Sequence, residues 1–188
     1  STFLSIIGNQ WFSWDVQNKK CKSTGFSNGY QFLSIHNSSL LRDSFAAGTQ
    51  DGQILVYDLR LKDATIDATM PKHDPINIVQ FSNIVQPLLA TVSDFNVKLW
   101  DLRSGFENPF LVLTGHTHEI TGVQFSNHRA DIMFTSSYDS SIKVWNINNM
   151  NPPHHCVSTI VPNNGTQVLH LTAGCHRTDS FYYSCANG

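Results

Sequence analysis

An internal repeat narrows the possible folds of this 188-residue chain to a small group. Three eight-residue segments align without gaps, starting at Asp51, Asp94 and Asp139, so that successive copies lie 43 and 45 residues apart. Each copy has an acid, a β-branched residue three positions later, an aromatic residue after six and Asp or Asn after seven. Self-similarity at such a period indicates an architecture in which one small supersecondary unit is stacked repeatedly.

Two incomplete copies flank these three. The first contains Trp14, which lies 43 residues before Tyr57, and the last begins at Phe181. In the last copy Asn187 lies 48 residues after Asp139. The chain therefore holds somewhat more than four repeats, and we expect it to be part of a longer protein.

Within each repeat the local patterns predict β-strands. Residues 79–81 and 123–125 alternate apolar and polar side chains, which is the period of a half-buried strand. A second apolar run follows, then a turn that carries the acid, and then a third strand that ends on the aromatic residue. Residues 110–113 and 156–160 supply fourth strands. Four short strands per unit, with no helical periodicity, predict a four-stranded antiparallel sheet.

Repetition of such sheets around an axis produces a β-propeller, so we expect an all-β fold. We predict one partial propeller domain over residues 1–188. Residues 1–25 form the end of a blade, residues 26–68, 69–113 and 114–160 form three blades, and residues 161–188 begin a further blade.

The repeat resembles the WD-repeat family. A Gly-His pair that ends at His116 lies 29 residues before Trp145. The Trp-Asp dipeptide of the family, or a conservative variant, occurs at Trp14-Asp15, Tyr57-Asp58, Trp100-Asp101 and Trp145-Asn146. Propellers of this family usually close with about seven blades. The resemblance therefore implies that about four blades of seven are present, and that missing sequence or a partner chain completes the ring.

The resemblance also implies a buried hydrogen-bond network in the best-matched repeat. In it, the indole N–H of Trp145 meets the hydroxyl of Thr135 or Ser137. That hydroxyl meets His116, which is held in turn by Asp139. These residue types also occur in catalytic triads. We interpret them as structural, because the indole occupies the hydroxyl and the network joins two strands to a loop.

The other repeats match this network less well. Asp94 and Trp100 are its counterparts in one blade, where His73 lacks a preceding Gly. Asp51 is the counterpart in another blade, where His36 lies at the wrong position. We expect these blades to depend more on apolar packing.

Function in a propeller resides in loops, because the strands hold the shape. In the family, partners commonly bind at the loops before the first strand and at the turns between the second and third strands. Carried over to this chain, that surface comprises Gln50, Ser93 and Tyr138, each directly before a turn acid, and His118 and Thr121 near the Gly-His loop. Tyr138 is the strongest candidate, since exposed aromatic residues are frequent binding hot spots. Packing of Tyr138 on the neighbouring blade is the alternative.

Two repeats continue as aromatic-Asp-Leu-Arg, at residues 57–60 and 100–103. This ending resembles a box in the WD-repeat substrate receptors of cullin-ring ubiquitin ligases. It is also common in propellers in general, where the Arg pairs with a nearby turn. Between Trp100 and Trp145 the chain resembles a peroxisomal receptor for targeting peptides, and also histone-binding and nuclear-pore propellers. The matching stretches are too general to choose among these.

Composition excludes several classes of protein. The net charge of −2 does not provide the basic face that nucleic-acid binding requires, so we do not expect nucleic acid as the primary ligand. No apolar run reaches the 18 residues of a membrane span. Phosphate-binding glycine loops and nucleophile motifs are also missing from the sequence, which argues against an enzyme and against a cofactor. We expect an intracellular protein of the cytoplasm or nucleus, with its thiols reduced.

A metal site is the remaining chemical alternative. His154, His155, Cys156, Cys175, His176 and Cys185 are all capable of binding a metal. Zinc sites usually contain close pairs such as Cys-x-x-Cys, whereas these cysteines are separated by wider intervals. We therefore interpret them as loop histidines and buried thiols.

The sequence predicts a non-catalytic protein–protein interaction scaffold, a subunit of a larger assembly. The alternative is a receptor for peptides or substrates, such as a ligase substrate receptor or a receptor for targeting peptides. Both functions require other proteins or peptides as partners.

Overall fold

A computed structural model describes residues 2–27, 29–41, 43–60, 65–68, 74–85, 87–148, 156–162, 165–174 and 180–186. Its strands form five antiparallel sheets, in each of which the strands pair in chain order. Sheet 1 contains β1 (Thr2–Ile7), β2 (Gln10–Asp15) and β3 (Lys20–Phe26). Sheet 2 contains β4 (Phe32–Asn37), β5 (Ser44–Thr49), β6 (Ile54–Asp58) and β7 (Thr65–Ala68). Phe26 closes sheet 1, one residue past the boundary drawn from the sequence.

Sheet 3 contains β8 (Ile78–Phe81), β9 (Leu88–Ser93), β10 (Asn96–Asp101) and β11 (Leu111–Leu113). Sheet 4 contains β12 (Ile120–Phe125), β13 (Ile132–Ser137), β14 (Ile142–Asn146) and β15 (Cys156–Ile160), and sheet 5 contains β16 (Val168–Ala173) and β17 (Phe181–Cys185). The prediction of an all-β fold with four-stranded antiparallel sheets is confirmed.

The sheets are arranged side by side through their first strands. β4 lies against β8, β8 against β12, and β12 against β16. Gly48 shows how close this packing is, since a Cβ built there would lie 2.7 Å from the backbone oxygen of Ile76 in the next unit. Apolar clusters fill the space between neighbouring sheets, and one of them joins Val56 of sheet 2 to Val79 of sheet 3. This is the open, propeller-like arrangement that the repeat predicted.

Side-chain amides add polar links between successive sheets at the turns that follow the first strands. Ser39 donates to Oδ1 of Asn83 (3.2 Å), and Nδ2 of Asn83 donates to Oδ1 of Asn127 (3.0 Å). Nδ2 of Asn127 then donates to the backbone oxygen of Gly174 (3.3 Å). We call these four residues the amide ladder. The ladder connects sheets 2, 3, 4 and 5 in one direction.

The turns between second and third strands differ in length. In sheets 2 and 4 three residues form the loop, and its last residue has positive φ: Gly52 (77°) and Ser140 (65°). This is a type I turn followed by a left-handed residue. In sheet 3 Ser93 pairs directly with Asn96, so that only two residues form the loop, and Asp94 itself has φ of 52°. The repeats therefore align without gaps only from the turn acid onward, because the turn of sheet 3 lacks one residue before its acid.

Candidate functional site

The structure brings Trp145, Thr135, His116 and Asp139 together in one hydrogen-bond chain. The indole N–H of Trp145 donates to Oγ1 of Thr135 at 2.8 Å. Oγ1 of Thr135 lies 2.7 Å from Nε2 of His116, and Nδ1 of His116 lies 2.8 Å from a carboxylate oxygen of Asp139. Asp139 is ionised and can only accept, so Nδ1 of the neutral His116 carries the proton and donates to Asp139, and the unprotonated Nε2 accepts from the hydroxyl of Thr135. Thr135 is fully buried, so this hydroxyl is closed to solvent.

Ser137 was the other candidate for the hydroxyl, and it has a different role. Its Oγ donates to the backbone oxygen of His118 (2.9 Å) and accepts from the backbone N–H of Asp139 (3.0 Å). Ser137 therefore fixes the turn that carries the acid. Thr135, which is fully buried, is the partner of Trp145.

Asp139 accepts hydrogen bonds from several groups. Besides His116, they are the hydroxyl and the backbone N–H of Ser141 (2.6 and 2.9 Å) and the backbone N–H of Thr117 (3.1 Å). Burial alone would raise the pKa of Asp139, but the bonds from Ser141, His116 and Thr117 outweigh it and lower the pKa to about 2. Asp139 is thus a permanent anion that anchors the loop before β12 to the turn after β13.

His116 is kept neutral by its surroundings. Burial lowers its pKa below the ordinary 6.5, although Asp139 acts in the opposite direction. A neutral imidazole suits the network, because Nε2 must accept the proton of Thr135. Protonation of His116 would remove that acceptor.

The other sheets contain shorter versions of this arrangement. The indole of Trp100 donates to Thr91 (2.9 Å), and the half-exposed indole of Trp14 donates to Ser5 (2.9 Å). Within the described residues the carboxylates of Asp51 and Asp94 have no hydrogen-bond partner, and His73 lies outside those residues.

Aromatic packing replaces the network in sheet 2. Tyr57 stacks on Phe45 with ring centroids 4.6 Å apart, and Trp11 packs edge-on against the same ring at 5.1 Å. His36 links sheets 2 and 3, since its Nδ1 accepts from the backbone N–H of Phe81 at 3.2 Å.

Three of the predicted partner-binding residues, Gln50, His118 and Tyr138, are exposed at the end of the sheets where the network lies. Tyr138 is 38% exposed, so part of this residue is accessible to a partner. Its backbone N–H donates to the oxygen of Glu119 at 3.0 Å, so that the turn is held to the loop before β12.

Of the other two predicted residues, Ser93 is buried and Thr121 is partly buried. Ser93 is buried at the end of β9, because the shorter turn of sheet 3 makes it the counterpart of Ser137 and leaves Tyr138 without one. Thr121 lies between sheets 4 and 5, where its hydroxyl contacts Ser136 (2.9 Å) and donates to the oxygen of Val168 (2.7 Å). A role of Ser93 and Thr121 in partner binding stays a prediction.

Phe95 is the residue of this surface that the sequence argument missed. It follows the acid in the two-residue turn of sheet 3 and is 44% exposed. The backbone oxygen of Asp94 accepts from the N–H of Ile120 at 3.1 Å, which ties this turn to the start of sheet 4. We call the exposed set Gln50, Phe95, His118 and Tyr138 the turn surface.

The two aromatic-Asp-Leu-Arg segments lie at the opposite end of the sheets. In each, the Arg pairs with the Asp of its own segment through two N–H groups. For Arg60 and Asp58 the Nε–Oδ1 distance is 2.8 Å, and for Arg103 and Asp101 it is 3.0 Å. These hydrogen bonds, above all, lower the pKa of Asp58 to about 2.

Among the residues that the structure describes, no three His, Cys, Asp or Glu side chains are grouped so as to hold a metal ion. His154, His155, Cys175 and His176 lie outside those residues, while Cys156 and Cys185 are free thiols. In the same part of the chain no helix is long and apolar enough to span a membrane.

Comparison with known proteins agrees with this architecture. A family model described as "WD domain, G-beta repeat" matches residues 107–146. A chain in the crystal structure of the mitotic checkpoint complex superposes with a TM-score of 0.77 at 21% sequence identity, over 94% of this chain and 54% of that chain. At this identity the similarity concerns the fold.

Two curated relatives are similar in sequence. Nuclear distribution protein nudF of Aspergillus niger is 28% identical over 120 residues, which are 62% of this chain and 26% of that protein. COMPASS component SWD3 of Saccharomyces cerevisiae is 31% identical over 101 residues, which are 54% of this chain and 31% of that protein. The chain therefore matches only about a quarter to a third of the length of these relatives.

Proposed function

Because this chain belongs to the WD-repeat β-propeller family, we propose that it is a non-catalytic scaffold that binds other proteins through the turn surface. A scaffold needs exposed recognition groups that do not change position when the partner binds. Rigid presentation reduces the entropy lost on association. The turn surface meets both requirements.

The observation that carries this proposal is the exposure of Tyr138 and Phe95 on turns that are fixed from below. Tyr138 directly precedes Asp139, the anion of the buried network, and Phe95 follows Asp94 in a turn bonded to β12. Solvent-exposed aromatic residues that lose no backbone freedom are the usual hot spots of protein interfaces. Gln50 and His118 add polar groups at the same end of the sheets.

The names of similar proteins support a role in an assembly. SWD3 is named as a component of COMPASS, and the structural neighbour was solved as part of the mitotic checkpoint complex. In our proposal this chain is likewise a subunit of a multiprotein assembly inside the cell, in the cytoplasm or nucleus. Further blades, from the same polypeptide or a partner chain, cover the exposed apolar residues of the outer sheets, such as Phe3 and Tyr182.

A receptor for peptides or ligase substrates is the second candidate, favoured by the two Arg segments. Arg60 and Arg103 are 65% and 72% exposed at the side chain, although both are paired with Asp. In this reading the turn surface holds exchangeable clients, and an Arg segment contacts an adaptor.

Affinity purification of the tagged chain from its own cells tests the proposal. We expect a fixed, stoichiometric set of partners with the unmodified chain, and loss of at least 90% of them with a Tyr138→Ala, Phe95→Ala double variant. Removal of two hot-spot rings costs about 2–4 kcal/mol of binding free energy. Val112→Ala is the matched control, since Val112 is 41% exposed on the outer strand of sheet 3.

Exchangeable, substoichiometric partners would favour the receptor. Retention of the partners by the double variant, with its fold intact by circular dichroism, would refute the role of the turn surface.

A further inference from the structure

A cleft of about 310 Å³ opens between sheets 3 and 4 at the end opposite to the turn surface. It lies where β9 begins and where β10 and β14 end, whereas the turns that carry Phe95 and Tyr138 lie at the other end of these strands. Its apolar wall includes Val85, Leu88, Phe110 and Ile147, and its polar rim includes Asp101 and Arg103. No contact described so far uses this space.

The apolar wall is partly open to solvent. Phe110 is 39% exposed, whereas Leu88 and Ile147 are buried with 6% and 4% exposure. An exposed ring above a buried apolar floor forms a recess into which a side chain enters and loses contact with water. Removal of apolar surface from water on both partners is favourable.

The polar rim carries one oriented positive group. Asp101 binds Nε and Nη2 of Arg103 at 3.0 and 2.7 Å, and it also accepts from the backbone N–H of the same residue. Among the described residues, Nη1 of Arg103 has no partner, and the side chain is 72% exposed. Asp101 thus holds the guanidinium in place and leaves a charged donor at the mouth of the cleft.

From these observations we propose that the cleft is a second docking site, which binds an extended peptide segment of a partner protein. The segment carries a large apolar residue that enters the recess, next to an acidic residue whose carboxylate bonds to Arg103. Guanidinium–carboxylate hydrogen bonds are the strong, directional kind. A volume near 300 Å³ is at the lower limit of ligand pockets, which suits one or two side chains.

Nucleic acid does not fit this site. Among the described residues that line the cleft, Arg103 is the single cation, and the chain has a net charge of −2. Binding of a phosphate backbone requires several cations along its length. The recess is also lined by aliphatic side chains and one ring, which suits an apolar side chain better than a base.

Titration of the full chain with short synthetic peptides tests the inference. The probe is an N-acetylated, C-amidated hexapeptide with adjacent Glu and Leu between Gly and Ser residues. The comparison peptides replace Glu by Gln or Leu by Ala. Methyl signals of Leu88 and Ile147 report on binding. We expect these signals to shift when the Glu-Leu peptide is added. The Gln-Leu and Glu-Ala peptides should bind about tenfold more weakly, because each lacks either the charge-assisted hydrogen bond or the buried side chain.

Two variants provide the matched pair. Arg103→Met removes the charge at the cleft and should abolish the difference between the Glu and Gln peptides. Arg60→Met removes the corresponding ion pair from sheet 2, outside the cleft, and should leave that difference unchanged. Both arginine side chains are exposed, so we expect each variant to keep the fold, and the methyl spectrum without peptide checks this.

Several results would overturn the inference. The first is the absence of any shift of the Leu88 and Ile147 signals at millimolar peptide, or shifts confined to the turn surface. The second is equal affinity for the Glu and Gln peptides. The third is a preference for the Glu peptide that is unchanged in Arg103→Met. A twelve-nucleotide single strand that shifts the same methyls more strongly than the peptide would contradict the choice of a peptide. Loss of partners in Tyr138→Ala, Phe95→Ala does not bear on this site, so the two proposals fail separately.

Discussion

Replacement of Thr135 by Val tests the buried network most sharply. The two side chains have nearly the same shape, so the change removes the hydroxyl and leaves the packing. Two hydrogen bonds disappear: one from the indole of Trp145 at 2.8 Å and one to Nε2 of His116 at 2.7 Å. The exposure of these three residues is 0%, 2% and 7%, so water does not replace the missing partners.

The magnitude follows from the groups left without a partner. Each buried donor or acceptor that is left unpaired costs about 1–3 kcal/mol. Thr135→Val leaves the N–H of Trp145 and Nε2 of His116 without partners, so we expect the free energy of unfolding to fall by about 2–6 kcal/mol. Thr91→Val is the matched control, because Thr91 lies at the same position of sheet 3 and bonds to Trp100 at 2.9 Å. One orphaned donor there should cost about 1–3 kcal/mol.

Urea denaturation followed by circular dichroism gives both values on the same chain. We expect Thr135→Val to be more destabilising than Thr91→Val by about 1–3 kcal/mol, the contribution of the bond to His116. Equal losses for the two variants would show that the bond to His116 contributes nothing, and that the Gly-His pair does not stabilise this repeat.

Four further predictions concern pH and the contacts between sheets. Burial lowers the pKa of His116 below 6.5, so the folded state binds fewer protons than the unfolded state. The stability contributed by His116 is complete above pH 6.5 and falls as the pH decreases. Urea midpoints measured between about pH 8 and about pH 5 should show this fall, with a smaller slope for His116→Gln. A second loss of stability, of about 1–2 kcal/mol, follows between pH 3.8 and about 2, when Asp139 is protonated, and acid titration by circular dichroism measures it. An unchanged stability across either pH range would contradict the network. Asn127→Ala breaks two hydrogen bonds of the amide ladder and should lower the free energy of unfolding by about 1–2 kcal/mol in the urea assay. The control is Asn9→Ala in an exposed turn, which should change it by less than about 0.5 kcal/mol. Gly48→Ala places a methyl group against the backbone of Ile76 and should lower the free energy of unfolding by about 1–3 kcal/mol, which is measured as a lower melting temperature. An unchanged melting temperature would mean that sheets 2 and 3 do not pack as described.

The architecture was predictable because the repeat specifies the same three signals each time. A period-2 run, a turn acid and an aromatic residue locate the strands of sheets 3 and 4, and the turn acid and aromatic residue locate those of sheet 2. The second strands β5, β9 and β13 are buried at every position, as their apolar and small residues require. The network around His116 was predictable from the resemblance to the WD-repeat family, and its geometry satisfies the buried polar groups that it contains.

Features that depend on loop length or on neighbouring sheets were not predictable. The turn at Asp94 is one residue shorter than the others, which buries Ser93 and exposes Phe95. His36 was out of place for a network within its own sheet, but it accepts a bond from Phe81 of the next sheet. The amide ladder did leave a signal, the Ser-Asn pairs that end at Asn83 and Asn127, 44 residues apart. A pattern of this kind specifies a turn but not the residue that it contacts across a sheet boundary.

Methyl–methyl nuclear Overhauser effects measure the central claim directly, namely that the repeats are sheets stacked in sequence around a hub. We predict cross-peaks between Val56 and Val79, between Leu113 and Val123, and between Ile142 and Leu171, since each pair belongs to one apolar cluster between neighbouring units. No cross-peak should join sheet 2 to sheet 4. Strong cross-peaks between Val56 and Ile142, as in two sheets packed face to face, together with loss of the neighbouring pairs, would contradict the account.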